Sequence, residues 1–329
     1  MKDTDEGIRD KRGHWTPNKR PKRAPIFVWP FDPAQFLKWL PGYVWPWNSA
    51  YFLVALVSWL FLTPDLATMK TFHIGWILAI LLRNAAWTLL FYGGFHLVLY
   101  VQRRQDTNFK YNAKWPDTAS STFFFGSQTA ENIFWTFCSG VPIWTAFECV
   151  TWWLYANDRL PMLDFAAHPV LFVTALLLMP AWRELHFYLI HRLIHIGPLY
   201  HLIHKVHHKN VNPGPWSGMS MSTLEHLAYF SGVLIHFIIP LHPLHAMFQL
   251  MHAGLSPVKS HVGFDRILTS EETAINTDNF YHYLHHKYFE VNYGERRIPL
   301  DEWFGTAHDG SPEADEAMYR RIKARKIAR

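Results

Sequence analysis

Eight histidines fall in three short strings: His191-Arg-Leu-Ile-His195, His204-Lys-Val-His207-His208 and His282-Tyr-Leu-His285-His286. The first reads HxxxH and the other two HxxHH. On a helix, positions i, i+3 and i+4 share a face, so each string is expected to aim two or three imidazoles at one point. Buried together without a metal, their ring nitrogens would go unpaired at about 1–3 kcal/mol each. Eight imidazoles exceed what one tetrahedral ion uses. They suit a pair of transition-metal ions with positions open to a small ligand. Neutral imidazole serves Fe, Zn and Cu alike, so the donors alone do not name the metal. Histidines standing singly read as satisfied polar residues: His14, His73, His96, His168, His236, His242, His245 and His308, with His201 out of phase beside the second string.

The elements that must carry these strings are membrane helices. The 329 residues are 50% hydrophobic and include 16 Trp, 14 Tyr and 25 Phe. A mean hydropathy of -0.05 averages polar, basic ends with long apolar stretches. Apolar runs lie at 48–63, 72–101 (interrupted by Arg83-Asn84), 132–156 and 165–180, the last leading straight into the first string. The runs approach or exceed the roughly 20 residues a crossing needs, the first being marginal. The pieces 64–71 and 157–164 hold one basic residue each, Lys70 and Arg159, whereas the N-terminal segment and 102–130 hold clusters. The positive-inside rule then gives four spans with both ends, and all three strings, on the cytoplasmic side. A further apolar stretch, 224–255, is broken at Pro240 and Pro243 and is too short for two crossings. It reads as a re-entrant hairpin that returns the third string to the first two.

The expected fold is therefore all-α: an integral membrane bundle of about four helices with a cytoplasmic, histidine-rich metal-binding cap. The expected organisation is a basic, aromatic interfacial segment at 1–48, a transmembrane region at 49–164, a catalytic region at 165–310 and a basic tail at 311–329. Residues 1–25, rich in charge and Pro, read as disordered or peripheral.

Formal charge is +5, and Lys and Arg collect near the ends: Lys11, Arg12, Lys19, Arg20, Lys22, Arg23, then Arg320, Arg321, Lys323, Arg325, Lys326, Arg329. Anionic lipid headgroups account for the first cluster better than nucleic acid does, because it leads through an aromatic segment into a span. The C-terminal run equally suits a solvated helix. The two cysteines, Cys138 and Cys149, lie in one apolar segment and build neither a disulfide framework nor a thiolate metal site. The charged start, with no apolar core directly behind it, is not expected to be a cleaved signal peptide.

The order HxxxH, HxxHH, HxxHH resembles the fatty acid hydroxylase/sterol desaturase superfamily of membrane di-iron oxygenases. Phe187-Tyr188-Leu189-Ile190-His191-Arg192, His204-Lys205-Val206-His207-His208, Asn292-Tyr293-Gly294 and Trp303-Phe304-Gly305-Thr306 carry the resemblance, which covers roughly 165–310. It is nearest to bacterial sterol-desaturase-like proteins, with sterol C-5 desaturation first and fatty acyl hydroxylation close behind. The resemblance implies two Fe ions (with Zn as a substitute in preparations), O2 as co-substrate, and oxidation of a lipid C–H bond to an alcohol or an alkene. It implies catalytic and metal-binding roles for His191, His195, His204, His207, His208, His282, His285 and His286. It adds His261, in Ser260-His261-Val262-Gly263-Phe264, as a further ligand, with His252 and His186 as weaker candidates. Glu184, Asp278 and Asp265 are candidates to orient ligand imidazoles, and Glu225-His226 suits either that role or helix packing. One departure is Ser222: many bacterial relatives read Met-His-Pro where this chain has Met221-Ser222-Thr223, which bears on metal occupancy and activity.

No cytochrome b5-like domain, CxxCH or ferredoxin cysteine set is found, so electrons are expected from an external cytochrome b5-like or ferredoxin-like donor. The expected location is a bacterial inner membrane or the endoplasmic reticulum. A bis-His haem electron carrier and a zinc-binding membrane protein are the rivals. The first wants histidines within the spans, and the second wants polar residues through them. The spans offer little beyond Arg83, Asn84 and Glu148.

Overall fold

A computed structural model describes residues 1–20 and 23–327. The side chains of Lys22, Arg325, Lys326 and Arg329, counted above among the basic clusters, lie outside the described residues. The structure is mostly helical. Helices α1 (Pro33–Val44) and α2 (Trp47–Phe61) meet at a 48° bend. Three long helices follow: α3 (Ile74–Val101), α4 (Gln128–Ala156) and α5 (Pro169–Ile194). Each of these three is long and apolar enough to cross a bilayer, and the bent pair α1–α2 makes a fourth if taken as one span. The first expected span is thus too short by itself, and needs α1 to reach membrane length.

Helix α5 carries the fourth apolar run straight into the first histidine string. Its apolar run ends near Pro180, but the helix continues through that proline to Ile194. An internal proline removes one backbone hydrogen bond and bends a helix without having to end it. The first histidine string is therefore the C-terminal end of a membrane helix, with no loop between.

After α6 (Lys205–His208), the apolar stretch from 224 forms α7 (Thr223–Phe230), a run of 3-10 turns, and α8 (Pro243–Leu255). Pro240 sits in the break and Pro243 opens α8. Every residue of α8 is buried, chiefly against α2, α4 and α5. Gly254 makes this approach possible: a Cβ there would meet the Trp144 ring at 2.5 Å, and its carbonyl accepts the Tyr92 hydroxyl at 2.9 Å. The hairpin is a wedge among the long helices, and it leads into α9 (Pro257–His261).

The polar residues that stood out in the spans, Arg83, Asn84 and Glu148, satisfy one another. Arg83 pairs with Glu148, which also accepts from Asn84 Nδ2 at 2.9 Å and Trp152 Nε1 at 2.8 Å.

The first twenty residues pack against the rest of the protein in the structure. Strands β1 (Gly7–Arg9) and β2 (Trp15–Pro17) pair antiparallel, and Trp15 is buried against Phe109 and Tyr111. That aromatic cluster includes Phe280, Tyr283 and Leu284 of α10 (Phe280–Tyr288), the helix of the third string. His14 Nδ1 lies 2.7 Å from the Tyr283 hydroxyl. Charge along residues 1–25 concealed one large apolar anchor, whose burial orders the hairpin. The C-terminal basic run is helical in α11 (Pro312–Ile327).

Candidate metal centre

The structure gathers nine of the eleven proposed ligands into two adjoining donor sets. His191, His195, His204, His208 and His285 form one; His207, His261, His282 and His286 form the other. Within each set one ligand nitrogen per residue lies within 4.8 Å of every other. The sets abut, with the His208 and His286 ring centroids 5.2 Å apart.

The strings do not each aim at one point. The first gives both of its histidines to the five-histidine set. The second gives His204 and His208 to that set and His207 to the other. The third reverses this, giving His285 to the five-histidine set and His282 and His286 to the four-histidine set. At 3.6 residues per turn, i and i+4 differ by about 40° around the axis, whereas consecutive residues splay by about 100°. The doubled histidines therefore point to different sets. A π-helical turn, Tyr200–His204, leads into α6 and sets the phase of the second string.

The hydrogen bonds at the far side of each ring identify the donor atom. His191 Nδ1 lies 2.7 Å from the Tyr293 carbonyl, His285 Nδ1 lies 2.6 Å from the Val291 carbonyl, and His261 Nδ1 lies 2.8 Å from the Pro257 carbonyl. A weaker contact of 3.3 Å joins His207 Nδ1 to the Ser220 carbonyl. A carbonyl only accepts, so each Nδ1 must carry the proton and each Nε2 must be a bare lone pair. Those lone pairs face further imidazole nitrogens. His191 Nε2 and His204 Nε2 are 3.0 Å apart, His285 Nε2 and His208 Nε2 3.0 Å, and His261 Nε2 and His207 Nε2 3.2 Å. In the last of these pairs both atoms are acceptors, which repel at 3.2 Å unless a cation stands between them. His286 has no hydrogen-bond partner on either buried nitrogen, and His208 and His282 have none on Nδ1. The residues present fit metal ions, one set for each.

Burial keeps the imidazoles beyond the spans neutral and ready to ligate. It pushes His207 down to about 4, and His204, His208, His261, His282, His285 and His286 well below the usual range.

The carbonyls that fix His191 and His285 belong to one strap after α10. Phe289 and Asn292 take left-handed φ values of 66° and 54°, folding the chain back over the third string. Asn292 donates to the Tyr281 and His308 carbonyls at 2.9 and 2.8 Å and accepts from His308 N at 2.7 Å. Asp301 accepts from Tyr293 N, Gly294 N and the Thr306 hydroxyl. The Asn292-Tyr293-Gly294 and Trp303–Thr306 motifs are thus one clamp on the imidazole-orienting carbonyls.

Among the described carboxylates, Glu225 alone touches a ligand imidazole, with Oε1 2.7 Å from His204 Nδ1. The other three candidates do different work. Glu184 accepts from Arg297 N and Ile298 N, Asp265 accepts from the Tyr111 hydroxyl, and Asp278 lines a cavity. Ser222 lies in neither donor set. Its hydroxyl caps α7 by accepting from Glu225 N at 3.2 Å and donates to the Ile203 carbonyl at 2.7 Å. His226 lies 3.0 Å from Ser139 Oγ, a packing contact.

His186 and His252 join neither set. His186 Nε2 bonds to Ser231 Oγ at 3.1 Å, because five residues along a helix turn it off the His191 face, and His252 Nε2 bonds to Asn48 Oδ1 at 3.1 Å. Several histidines read as satisfied polar residues do have individual partners, such as His236 with Gln249 and His245 with the Phe172 carbonyl. The orienting carbonyls of Val291, Tyr293, Pro257 and Ser220 were not foreseen, since a backbone acceptor leaves no mark in the sequence.

Two cavities approach the centre. One of about 520 Å³ reaches His195, past Arg192, Tyr200, Phe289 and Tyr293. The other, about 280 Å³, reaches His282 and is lined by polar side chains including Lys259, Asp278 and Arg297. A hydrocarbon-lined cavity of about 320 Å³ adjoins the second, sharing Tyr43 and Asn48 with it.

Residues 176–306 match the fatty acid hydroxylase family. Delta(7)-sterol 5(6)-desaturase ERG3B of Gibberella zeae is 31% identical over 139 residues, 41% of this chain and 42% of that protein. Delta(7)-sterol 5(6)-desaturase erg3C of Aspergillus fumigatus is 30% identical over 167 residues, 45% of this chain and 52% of that protein. The Delta(7)-sterol 5(6)-desaturase of Eremothecium gossypii is 27% identical over 137 residues, covering 42% and 38%. The chain spans about half the length of these curated relatives, or less. No solved structure matches it.

Proposed function

We propose that this chain, whose residues 176–306 match the fatty acid hydroxylase family and resemble sterol 5(6)-desaturases, is an integral membrane, O2-dependent, non-haem di-iron oxidoreductase that hydroxylates or desaturates a lipid. The observation that carries the reading is the convergence of nine buried or half-buried imidazoles, with Nε2 atoms 3.0–3.2 Å apart, in two adjoining donor sets.

His191, His195, His204, His208 and His285 would hold one ion, and His207, His261, His282 and His286 the other. Bound as a pair, two ferrous ions supply the two electrons with which O2 is activated toward a C–H bond. The protein's own part is positional. The strap carbonyls and Glu225 fix ring orientation and tautomer. Burial of the donor sets excludes bulk water. The hydrocarbon-lined cavity beside the polar one suits an apolar substrate entering from the bilayer, such as a sterol or a fatty acyl chain. An external electron donor, cytochrome b5-like or ferredoxin-like, supplies reducing equivalents on the cytoplasmic side, where the positive-inside bias puts the histidines.

The test is metal content of purified protein by mass spectrometry, with Mössbauer spectroscopy on iron-57-grown cells. Two irons per chain with a coupled signal are expected, followed by an oxidised product in a lipid screen. Haem iron, or no metal under reducing, iron-replete conditions, overturns the reading. Zinc alone does not, since imidazole sets accept it readily.

A further inference from the structure

The polar cavity beside His282 carries more cationic donors than the protein itself uses. Lys259, Arg296 and Arg297 face it, against Asp278 and Glu295. Glu295 is taken by Arg183 at 2.8 Å, and Arg296 reaches Glu302 at 3.3 Å with one of its nitrogens. The remaining Arg296 nitrogens, Nε and Nη1, are buried without a partner, as is Arg297 Nη1. Among the described residues no carboxylate lies within ion-pair distance of Lys259 or Arg297, and the Lys259 ammonium rests 6.0 Å above the Trp47 ring. Asp278 is the only acid on this wall left unpaired, facing two unpaired cations and the idle edge of a third. Such a wall is incomplete without an anion, because buried guanidinium N–H groups are held only by acceptors.

Across Tyr43 and Asn48 the surroundings change to hydrocarbon. Phe52, Leu176, Leu177 and Phe248 line the adjoining cavity, and the Tyr43 hydroxyl, donating to the Leu177 carbonyl at 2.7 Å, fixes the partition between the two. We propose that the two adjoining cavities together bind an acidic amphipathic lipid, its carboxylate or phosphate held by Lys259, Arg296 and Arg297, its chain passing Tyr43 and Asn48, and its hydrocarbon beside Phe52, Leu176 and Leu177. This names a substrate class for the oxidation proposed above and rests on that reading. A neutral sterol hydroxyl would leave the cationic wall unanswered.

The experiment is equilibrium binding to metal-loaded full-length protein in phosphatidylcholine nanodiscs, by competition against radiolabelled oleate. Oleate, lysophosphatidate, oleyl alcohol and cholesterol are the competitors. Oleate or lysophosphatidate should bind at least tenfold more tightly than oleyl alcohol, and the two acids together tell carboxylate from phosphate. Lys259→Gln and Arg297→Gln should each erase most of that preference. Leu177→Trp should weaken all chain-bearing competitors, marking the site off from adsorption to the disc. Equal binding of alcohol and acid by the unmodified protein overturns the proposal. So does a retained acid preference in both polar variants when their metal content and melting are normal. The readout needs no turnover: acid binding without any oxidation product would overturn the oxygenase reading alone, and oxidation of a neutral lipid without acid preference would overturn this one alone.

Discussion

Glu225 Oε1 stands 2.7 Å from His204 Nδ1, the one carboxylate contact to a ligand imidazole among the described residues. Burial pushes the Glu225 carboxyl well above its usual range, while His204 is pushed well below its own, so without a metal the pair is neutral. A dication at the opposite face of His204 reverses that balance and draws the proton off Glu225. Metal uptake by the native protein should therefore release about one proton more than uptake by Glu225→Gln, which keeps the shape and loses the charge. Affinity at the five-histidine set should fall about 10- to 100-fold. Isothermal titration in buffers of different ionisation enthalpy measures both. Equal proton release by the two proteins would deny Glu225 this role.

The strap over the third string depends on Asn292, whose side chain makes three hydrogen bonds within the protein. Asn292→Ala should cost about 1–3 kcal/mol through the groups left unpaired, and should loosen metal binding because His191 and His285 lose their fixed carbonyls. Asn292→Gly accepts the left-handed φ freely but lacks the amide. If it melts with the native protein, the side-chain bonds are idle.

Between α3 and α4, removing one partner of the buried Arg83–Glu148 pair leaves a charge stranded. Arg83→Leu should destabilise by about 3–5 kcal/mol, with most of the loss recovered in the Arg83→Leu, Glu148→Leu double variant. Thermal unfolding of the three proteins in one detergent decides it. A double variant as unstable as the single one would locate the cost in packing.

Acid should empty the centre. His207 sits at about 4 in the fold against an ordinary value near 6.5. Between those values the unfolded chain binds the proton and the folded chain does not, so stability rises with pH across that window. The stabilising difference is fully present above about 6.5 and lost as pH falls toward 4. Protons and metal compete for the same lone pairs, so chelator-extractable metal should climb over the same interval. Full metal retention at pH 4 would contradict neutral imidazole ligation.

Much of this was legible in residue type and spacing. The eight histidines of the strings were singled out by helical spacing and His261 by the family resemblance, and the structure brings all nine together. The wedge between α5 and α9 was readable from Pro240 and Pro243. What escaped was of two physical kinds. The acceptors at Val291, Tyr293, Pro257 and Ser220 are main-chain carbonyls, whose placement depends on backbone torsion and not on side-chain identity. The N-terminal hairpin is a long-range effect: Trp15 finds its pocket against residues roughly ninety to two hundred and seventy positions away, which local composition cannot report.

The exchange of histidines between the second and third strings makes those two helices a calliper. Each holds an i, i+4 pair at one donor set and a single i+3 ring at the other, in opposite order. The gap between the sets is therefore a dimension of two backbones. Rotating either helix to improve one set spoils its neighbour in the same movement. Inserting or deleting one residue within either string should abolish both sets together, so the centre can be inherited or lost only as a whole.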